Sequence, residues 1–317
     1  MLETLSKVLP KRFEYVTLLN SGSEAVELAL KIARKATRRR KIVSFTKAFH
    51  GRTLGALSVT GNPRYRKFFE PLLPEVVTIP FNSIDVLDKS IDDSTAAVIV
   101  ELIQGEGGVN IAKHEFIKAL RERCSEVNAV LIFDEVQTGF GRTGRIWAFE
   151  YYNVEPDILV AGKAIGGGFP VSLAAIPEHI AKTIEPGDHG STYGGNPLAC
   201  AAVKASTEIL IHDNVPRKAL EQGSRLISTL KHTLEDNELV REIRGLGLMI
   251  GIELRIMPGS IIKCIQRNHV LTLKAGTSIV RLLPPYLITE EDINWGVKVI
   301  AKCINEELSR RTTTRTT

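Results

Sequence analysis

Asp157-Ile158-Leu159-Val160-Ala161-Gly162-Lys163-Ala164-Ile165-Gly166-Gly167-Gly168-Phe169-Pro170 sets a short apolar run against a lysine and a run of glycines. An apolar run of strand length, with no polar alternation, fits a strand covered on both faces. The lysine follows at its carboxyl end, among small residues. A lysine held in an apolar, electropositive site gives up its proton more readily and becomes a nucleophilic amine, as a Schiff base with an aldehyde requires. Taken alone, Lys163 reads equally well as a surface side chain whose stem lies along apolar ground.

The flanking sequence repeats the pattern. Ile42–Phe45, Val76–Pro80, Ala97–Leu102, Ala129–Asp134, Asp157–Val160 and Val171–Ile176 read as strands, and Glu24–Lys35 and Glu115–Cys124 as amphipathic helices between them. Such alternation predicts an α/β domain with a mostly parallel central sheet and helices on both faces. Beyond about Ala205 the texture changes. A long helical stretch runs toward Leu234, strands are expected at Leu248–Leu254 and Val280–Leu283, and a last helix from Glu290 to about Glu307. The expected division is a large domain over 1–205 and a smaller α+β domain over 206–317. Residues Arg310 to Thr317 lack apolar side chains and read as a frayed tail.

Three further segments invite chemistry. Asn20-Ser21-Gly22-Ser23-Glu24-Ala25 precedes a good helix, so its backbone N–H groups suit an anion such as phosphate; a plain N-cap on Ser21 or Ser23 explains it as well. Ala48-Phe49-His50-Gly51-Arg52-Thr53 follows a strand, where ligands of parallel sheets bind. Its aromatic and its arginine could stack on a flat ring and hold a carboxylate, although a surface loop with one buried Phe has the same composition. Leu131-Ile132-Phe133-Asp134-Glu135-Val136-Gln137-Thr138-Gly139 ends an apolar strand on carboxylates, which is costly without a cationic partner. A nucleotide-hydrolase acid would need a GxxxxGK[ST] loop, and none is found. Gly245 to Gly251 runs GxGxxxG rather than GxGxxG, which speaks against a dinucleotide fingerprint.

The chain has 317 residues, 44% hydrophobic and 24% charged, a composition of globular proteins and long enough for about two domains. No apolar run reaches the roughly 20 residues of a membrane span, and no secretory leader is visible, so a cytoplasmic protein is expected. The net charge of +5 is modest. Part of it lies in Lys35 and Arg38-Arg39-Arg40-Lys41, which read as a solvated helix end or as a docking patch for something acidic. Aromatics do not interleave with these bases, so no nucleic-acid partner is expected. Cys124, Cys200, Cys264 and Cys303 are far apart; they are expected to be reduced thiols, with no metal bound.

Taken together, these segments resemble the class III pyridoxal-phosphate aminotransferases of fold type I, and within them the acetylornithine, ornithine and 4-aminobutyrate aminotransferase group. The resemblance runs from about Tyr15 to Leu287. Its pieces are NSGSEAVE, FHGRT, ELIQGEGG (Glu101–Gly108), DEVQTGFGRTG, GKAIGGGFP, GSTYGGNPLAC (Gly190–Cys200) and RLLPP (Arg281–Pro285). Each is weak alone; in this order they are specific.

The resemblance implies pyridoxal 5'-phosphate as cofactor, with Lys163 forming the Schiff base and shuttling a proton. It implies Asp134 against the ring nitrogen, Gln137 on the ring phenolate oxygen, Phe49 and Val136 on the two ring faces, and the backbone of Gly22 and Ser23 on the phosphate. Thr192 would complete the phosphate site of a neighbouring subunit, so a homodimer with shared active sites is implied. Arg52 and Arg281 match the family's pair for the two carboxylates of glutamate or 2-oxoglutarate, and Glu106 matches the acid that neutralises Arg281 when the other substrate is bound. The implied reaction moves a terminal amine from an N-acetylornithine-type donor, or from lysine or ornithine blocked by an acidic amino-group carrier protein, to 2-oxoglutarate in the biosynthesis of arginine or lysine. The basic run at Lys35–Lys41 would suit such a carrier. Ornithine and 4-aminobutyrate remain alternative donors.

Two departures stand out. Family members carry a substantial N-terminal portion that completes the small domain, and here only Met1–Glu14 precede the phosphate segment. Leu102 replaces a common proline. The rival readings are a glutamate semialdehyde aminomutase, which the context of Gln137 and Arg281 argues against, and an inactive structural relative.

Overall fold

The computed structural model describes residues 1–316, which divide into two compact units. The first comprises Met1–Gln104, Ile111–Phe140 and Arg145–Asn214; the second comprises Gly105–Asn110, Gly141–Gly144 and the chain from Val215 onward.

The first unit is built on a seven-stranded sheet of β1 (Tyr15–Leu19), β2 (Lys41–Phe45), β3 (Val76–Ile79), β4 (Thr95–Val100), β5 (Val130–Glu135), β6 (Ile158–Ala161) and β7 (Ser172–Ile176), in spatial order β1-β7-β6-β5-β4-β2-β3. The run β3-β2-β4-β5-β6 is parallel, and β7 runs antiparallel to both β6 and β1. Strands β4 to β7 are buried at every position, which explains their largely apolar sequence. One face is covered by α1 (Gly22–Thr37), whose buried Ala25, Val26, Leu28, Ala29, Ile32 and Ala33 recur at helical spacing. They pack on Ile42, Ala97, Ile99, Val130, Ile132, Ile158 and Val160. Helix α2 (His114–Glu126) and α3 (Pro197–His212) complete the larger elements, α3 opening on an Asn196 cap and Pro197.

The first residues belong to this unit. Leu5, Val8, Leu9 and Phe13 are buried, and the indole N–H of buried Trp147 donates to Val8 O at 2.7 Å.

The second unit carries the long helix α4 (Val215–Thr233) and a four-stranded antiparallel sheet of β8 (Val240–Leu246), β9 (Met249–Leu254), β10 (Leu273–Ala275) and β11 (Ile279–Leu282), in order β8-β9-β11-β10. Helices α5 (Gly259–Arg267) and α6 (Glu290–Thr316) close its core, with Leu226, Leu230, Ile250, Ile252, Ile261, Val280, Val297 and Ile304 among the buried residues.

Two expectations are corrected here. Cys264 and Cys303 form a disulfide rather than two free thiols, because the packing of α5 on α6 brings their Cα atoms to 5.7 Å across 39 residues of sequence. The tail expected from Arg310 is helical as far as Thr316. Arg310 Nη2 and Arg311 Nε donate to Glu307 at 2.8 and 2.6 Å, which extends α6 past its last apolar turn. Thr317 lies outside the described residues. Among them, no helix is long and apolar enough to cross a membrane, and no group of three or more His, Cys, Asp or Glu could hold a metal ion.

Candidate active site

Strands β1, β2, β5 and β6 of the first unit all end at one edge of the sheet, and the segments singled out in the sequence leave from that edge. In the β5–β6 register Asp134 stands opposite Val160 and Glu135 opposite Ala161, so Lys163 follows two residues beyond the last pair. The two-residue period of the strand puts Asp134 on the face that Val130 and Ile132 present to α1, and Glu135 on the other.

Asp134 is only 5% exposed. Its Oδ2 accepts from His50 Nδ1 at 2.8 Å and its Oδ1 from the Val136 N–H at 3.0 Å. The carboxylate opposite assigns the proton to Nδ1 of the imidazole. His50 is itself fixed by its N–H donating to Thr60 Oγ1 at 3.0 Å, and its buried Nε2 has no hydrogen-bond partner among the described residues. The neighbouring Phe49 N–H donates to buried Glu101 at 2.7 Å. Sequence reasoning gave His50 no role; the available sign was that it follows one parallel strand and Asp134 lies at the end of another.

The start of α1 closes the other side. Ser21 Oγ accepts from the Glu24 N–H at 3.4 Å, and Glu24 Oε2 reaches back to the Asn20 N–H at 3.0 Å. The first-turn N–H groups of Gly22 and Ser23 have no acceptor within the helix. A Cβ on Gly22 would lie 2.8 Å from Val136 Cγ1, so only glycine lets the helix start approach the end of β5 this closely. Gly51, at φ +138°, brings the loop after β2 against Ser23, whose Oγ accepts from the Arg52 N–H at 3.3 Å. Ser172 Oγ at the start of β7 donates to Ser21 O at 2.7 Å.

These contacts bring Gly22, Ser23, the Phe49–Arg52 loop, Asp134, Val136 and, through Gly162, the approach to Lys163 to one place. The Lys163 backbone is left-handed, at φ +44°, and its side chain is exposed. Val136 and Gln137 are half-buried. Thr192 is exposed on a turn whose Ser191 Oγ accepts from Asn20 Nδ2 at 3.1 Å. Arg52 is exposed, with its guanidinium 4.6 Å from the Tyr65 ring centroid and 5.6 Å from that of Phe49.

Glu135, on the opposite face, accepts from Thr138 Oγ1 at 2.9 Å and from the Ala148 and Phe149 N–H groups at 2.8 and 2.9 Å. Burial pushes its carboxyl up to about 7, against the pull of those three donors.

Two of the sequence candidates meet within the second unit. Arg281 on β11 is 4% exposed, and its Nη2 donates to Glu106 Oε1 at 2.6 Å. The turn carrying Glu106 is held by Arg244, which donates to Gly108 O at 2.7 Å and Val109 O at 3.0 Å, and by the Gly276 N–H, which donates to Glu106 O at 2.9 Å.

Three cations of the basic run are engaged within the fold. Arg39 Nη1 donates to the carbonyls of Thr95, Val127 and Asn128, at 2.6 Å for Val127. Lys41 pairs with Asp92 at 2.7 Å, and Lys35 with Glu185 at 2.9 Å and Asp188 at 2.5 Å. The run also lies at the far end of α1, about 24 Å from the helix start by its 16 residues. Lys35, Arg39 and Lys41 tie down the sheet edge at that end, while Arg38 and Arg40 stay exposed.

The aromatic, the buried carboxylate with lone pairs remaining, and the helix start with free N–H groups form a donor set suited to a flat, protonated heterocycle bearing a phosphate. The model of the aminotransferase class-III family matches residues 1–304. A LysW-aminoadipate semialdehyde/glutamate semialdehyde transaminase of Sulfolobus acidocaldarius is 54% identical over 300 residues, covering 95% of this chain and 77% of that protein. An acetylornithine aminotransferase of Methanocaldococcus jannaschii is 43% identical over 293 residues, covering 90% and 74%. Among solved structures, an ornithine aminotransferase of Toxoplasma gondii superposes with a TM-score of 0.90 at 33% identity, covering 95% of this chain and 74% of that one.

Proposed function

Because the chain belongs to the class-III aminotransferase family, we propose that it is a pyridoxal-phosphate transaminase. It would move the terminal amine of an N-acetylornithine-type or carrier-blocked lysine or ornithine donor to 2-oxoglutarate. The donor reading rests on the relatives, whose names include both the LysW-linked and the acetylated substrate. The observation that carries the cofactor reading is the buried Asp134 at the strand end, held by His50 at 2.8 Å, with the start of α1 packed against the next residues.

When bound, pyridoxal phosphate supplies an aldehyde for amines and an electron-withdrawing ring. Asp134 would hold the ring nitrogen in its protonated form, with His50 orienting the carboxylate. Phe49 and Val136 would take the two ring faces and Gln137 the phenolate oxygen. The N–H groups of Gly22 and Ser23 would bind the phosphate, with Thr192 contributed by the second subunit of a homodimer. Lys163 Nζ would carry the proton from the carbon bearing the substrate's amine to the cofactor, and in the opposite sense in the second half-reaction. Arg52 and Arg281 would bind the carboxylates of 2-oxoglutarate, and Glu106 would balance Arg281 when the donor lacks a second carboxylate.

The test is spectroscopic. The chain purified with pyridoxal phosphate should show a visible absorbance band that glutamate or N-acetylornithine abolishes. A chain without that band, or a borohydride-reduced chain whose label maps to a lysine other than Lys163, would overturn the assignment. Comparing turnover of N-acetylornithine, ornithine, 4-aminobutyrate and carrier-linked donors identifies the preferred amine.

A further inference from the structure

A donor amine that is covalently joined to a protein brings a surface with it. That surface must rest beside the site while the amine reaches in. In the first unit the relevant edge is the one where β2, β5 and β6 end. The basic run at Lys35–Lys41 lies at the other edge, with Lys35, Arg39 and Lys41 engaged.

A second basic cluster lies at the correct edge. The segment Asn62-Pro63-Arg64-Tyr65-Arg66-Lys67-Phe68-Phe69 is mounted directly on the site loop. The Gly61 N–H donates to Ala48 O at 2.9 Å, and Tyr65 lies edge-on to Phe49 at 5.6 Å and beneath Arg52 at 4.6 Å. The Leu73 N–H donates to Ser58 Oγ at 2.9 Å and fixes the far side. Arg66 pairs with Glu70 at 3.3 Å, whereas exposed Arg64 and Lys67 have no ion pair among the described residues. The same stretch and the start of the helix after Arg52 carry large apolar side chains facing solvent: Phe68 is 82% exposed, Phe69 58% and Leu54 65%. Rigid aromatics flanked by uncompensated cations are the composition of an interface for an acidic partner, not of a solvated face.

We propose that Arg64, Lys67, Phe68 and Phe69 form the docking surface for an acidic carrier protein while its tethered amine enters the site. The proposal rests on the carrier-linked donor reading above. The cations steer and orient the carrier, and the phenyl rings give it an apolar seat on the segment whose Tyr65 meets Arg52.

The probe is a glutamate-rich peptide whose terminal γ-carboxyl is joined to the α-amino group of lysine, compared with N-acetylornithine as an untethered donor. In Arg64→Glu/Lys67→Glu, kcat/KM for the peptide donor should fall roughly tenfold or more and lose its salt dependence. Turnover of N-acetylornithine should stay at its wild-type value. The same peptide without the donor lysine, followed by fluorescence anisotropy, should bind the wild-type chain and bind the variant at least several-fold more weakly. Equal peptide binding by both chains, or no binding by either, overturns the docking surface whatever the enzyme turns over. A parallel loss for both donors with a change of mass in light scattering also overturns it, and assigns the face to a second copy of the chain. Failure of the wild-type chain to transaminate any donor, with peptide binding intact, counts against the proposed function and not against the surface.

Discussion

His50 Nδ1 stands 2.8 Å from Asp134 Oδ2, and both side chains are buried at the end of the parallel strands. The backbone N–H of His50 is tied to Thr60 Oγ1 and its ring is buried, so Asp134 is oriented by a residue anchored at its main chain. Replacing His50 by Phe keeps a flat side chain and removes the donor. Losing one donor to a buried carboxylate costs about 1–3 kcal/mol, which should appear as roughly 10- to 100-fold weaker retention of pyridoxal phosphate. His50→Gln, which restores an N–H, should recover part of the loss in the same titration. Unchanged retention in both variants would remove His50 from the site.

Lys163 lies two residues beyond the end of β6, with its side chain exposed. Lys163→Ala should therefore leave the unfolding midpoint unchanged while turnover falls by about 100-fold or more, as loss of the group that carries the proton requires. Denaturant curves and a coupled glutamate assay on one preparation separate the two effects.

Arg281 and Glu106 are a nearly buried ion pair at 2.6 Å. Removing one partner leaves the other charge with too little solvent to compensate, at a cost of about 3 kcal/mol, with the partial exposure of Glu106 softening it. Glu106→Gln should destabilise the chain by less than that. It should also lower KM for 2-oxoglutarate relative to KM for the amine donor, since a dicarboxylate no longer has to displace the acid from Arg281. A variant with both constants unchanged would show that Arg281 does not meet the substrate.

The link between Cys264 and Cys303 closes 39 residues of the second unit. The chain-entropy relation gives such a closure about 4 kcal/mol. Unfolded without reductant, the chain should titrate two thiols, Cys124 and Cys200. Adding reductant should raise the count to four and lower the unfolding midpoint of the wild type, but leave that of Cys264→Ala/Cys303→Ala where it was.

Glu135 carries a pH dependence of its own. Burial raises its folded value to about 7, above the ordinary 4.5, so between these values the folded chain holds a proton that the unfolded chain releases. Stability from this group is complete below about pH 4.5 and is lost as the pH rises through 7, on the order of 3 kcal/mol in all. Urea midpoints at pH 5 and pH 8 should fall with pH more steeply in the wild type than in Glu135→Gln. Parallel slopes would mean that the three donors to its oxygens, not its burial, govern the carboxyl.

Strands Lys41–Phe45, Val130–Glu135 and Ile158–Ala161 were legible in the sequence because burial on both faces leaves a short, mostly apolar and β-branched core in each. The same property hid the direction of Ser172–Ile176, since an apolar run looks alike whether its neighbours are parallel or antiparallel. Site segments could be found where the residue type is scarce in its setting, such as an acid or a lysine at the end of an apolar strand. What depended on tertiary approach could not be read. Arg39 gave no sign in sequence that it would satisfy three carbonyls from β4 and the turn before β5, nor did Cys264 that α5 would lie on α6. Exposure of Lys163 was equally hidden, because small neighbours leave space without saying what fills it.

The indole of Trp147 reaches the backbone of Val8, while the chain's second tryptophan, Trp295, stands half in solvent. Emission from the buried ring is thus an internal gauge of whether the leading residues are seated. An exopeptidase that nibbled past Val8 would strand an N–H in a dry interior, and a red-shifted glow would announce the damage before any assay did.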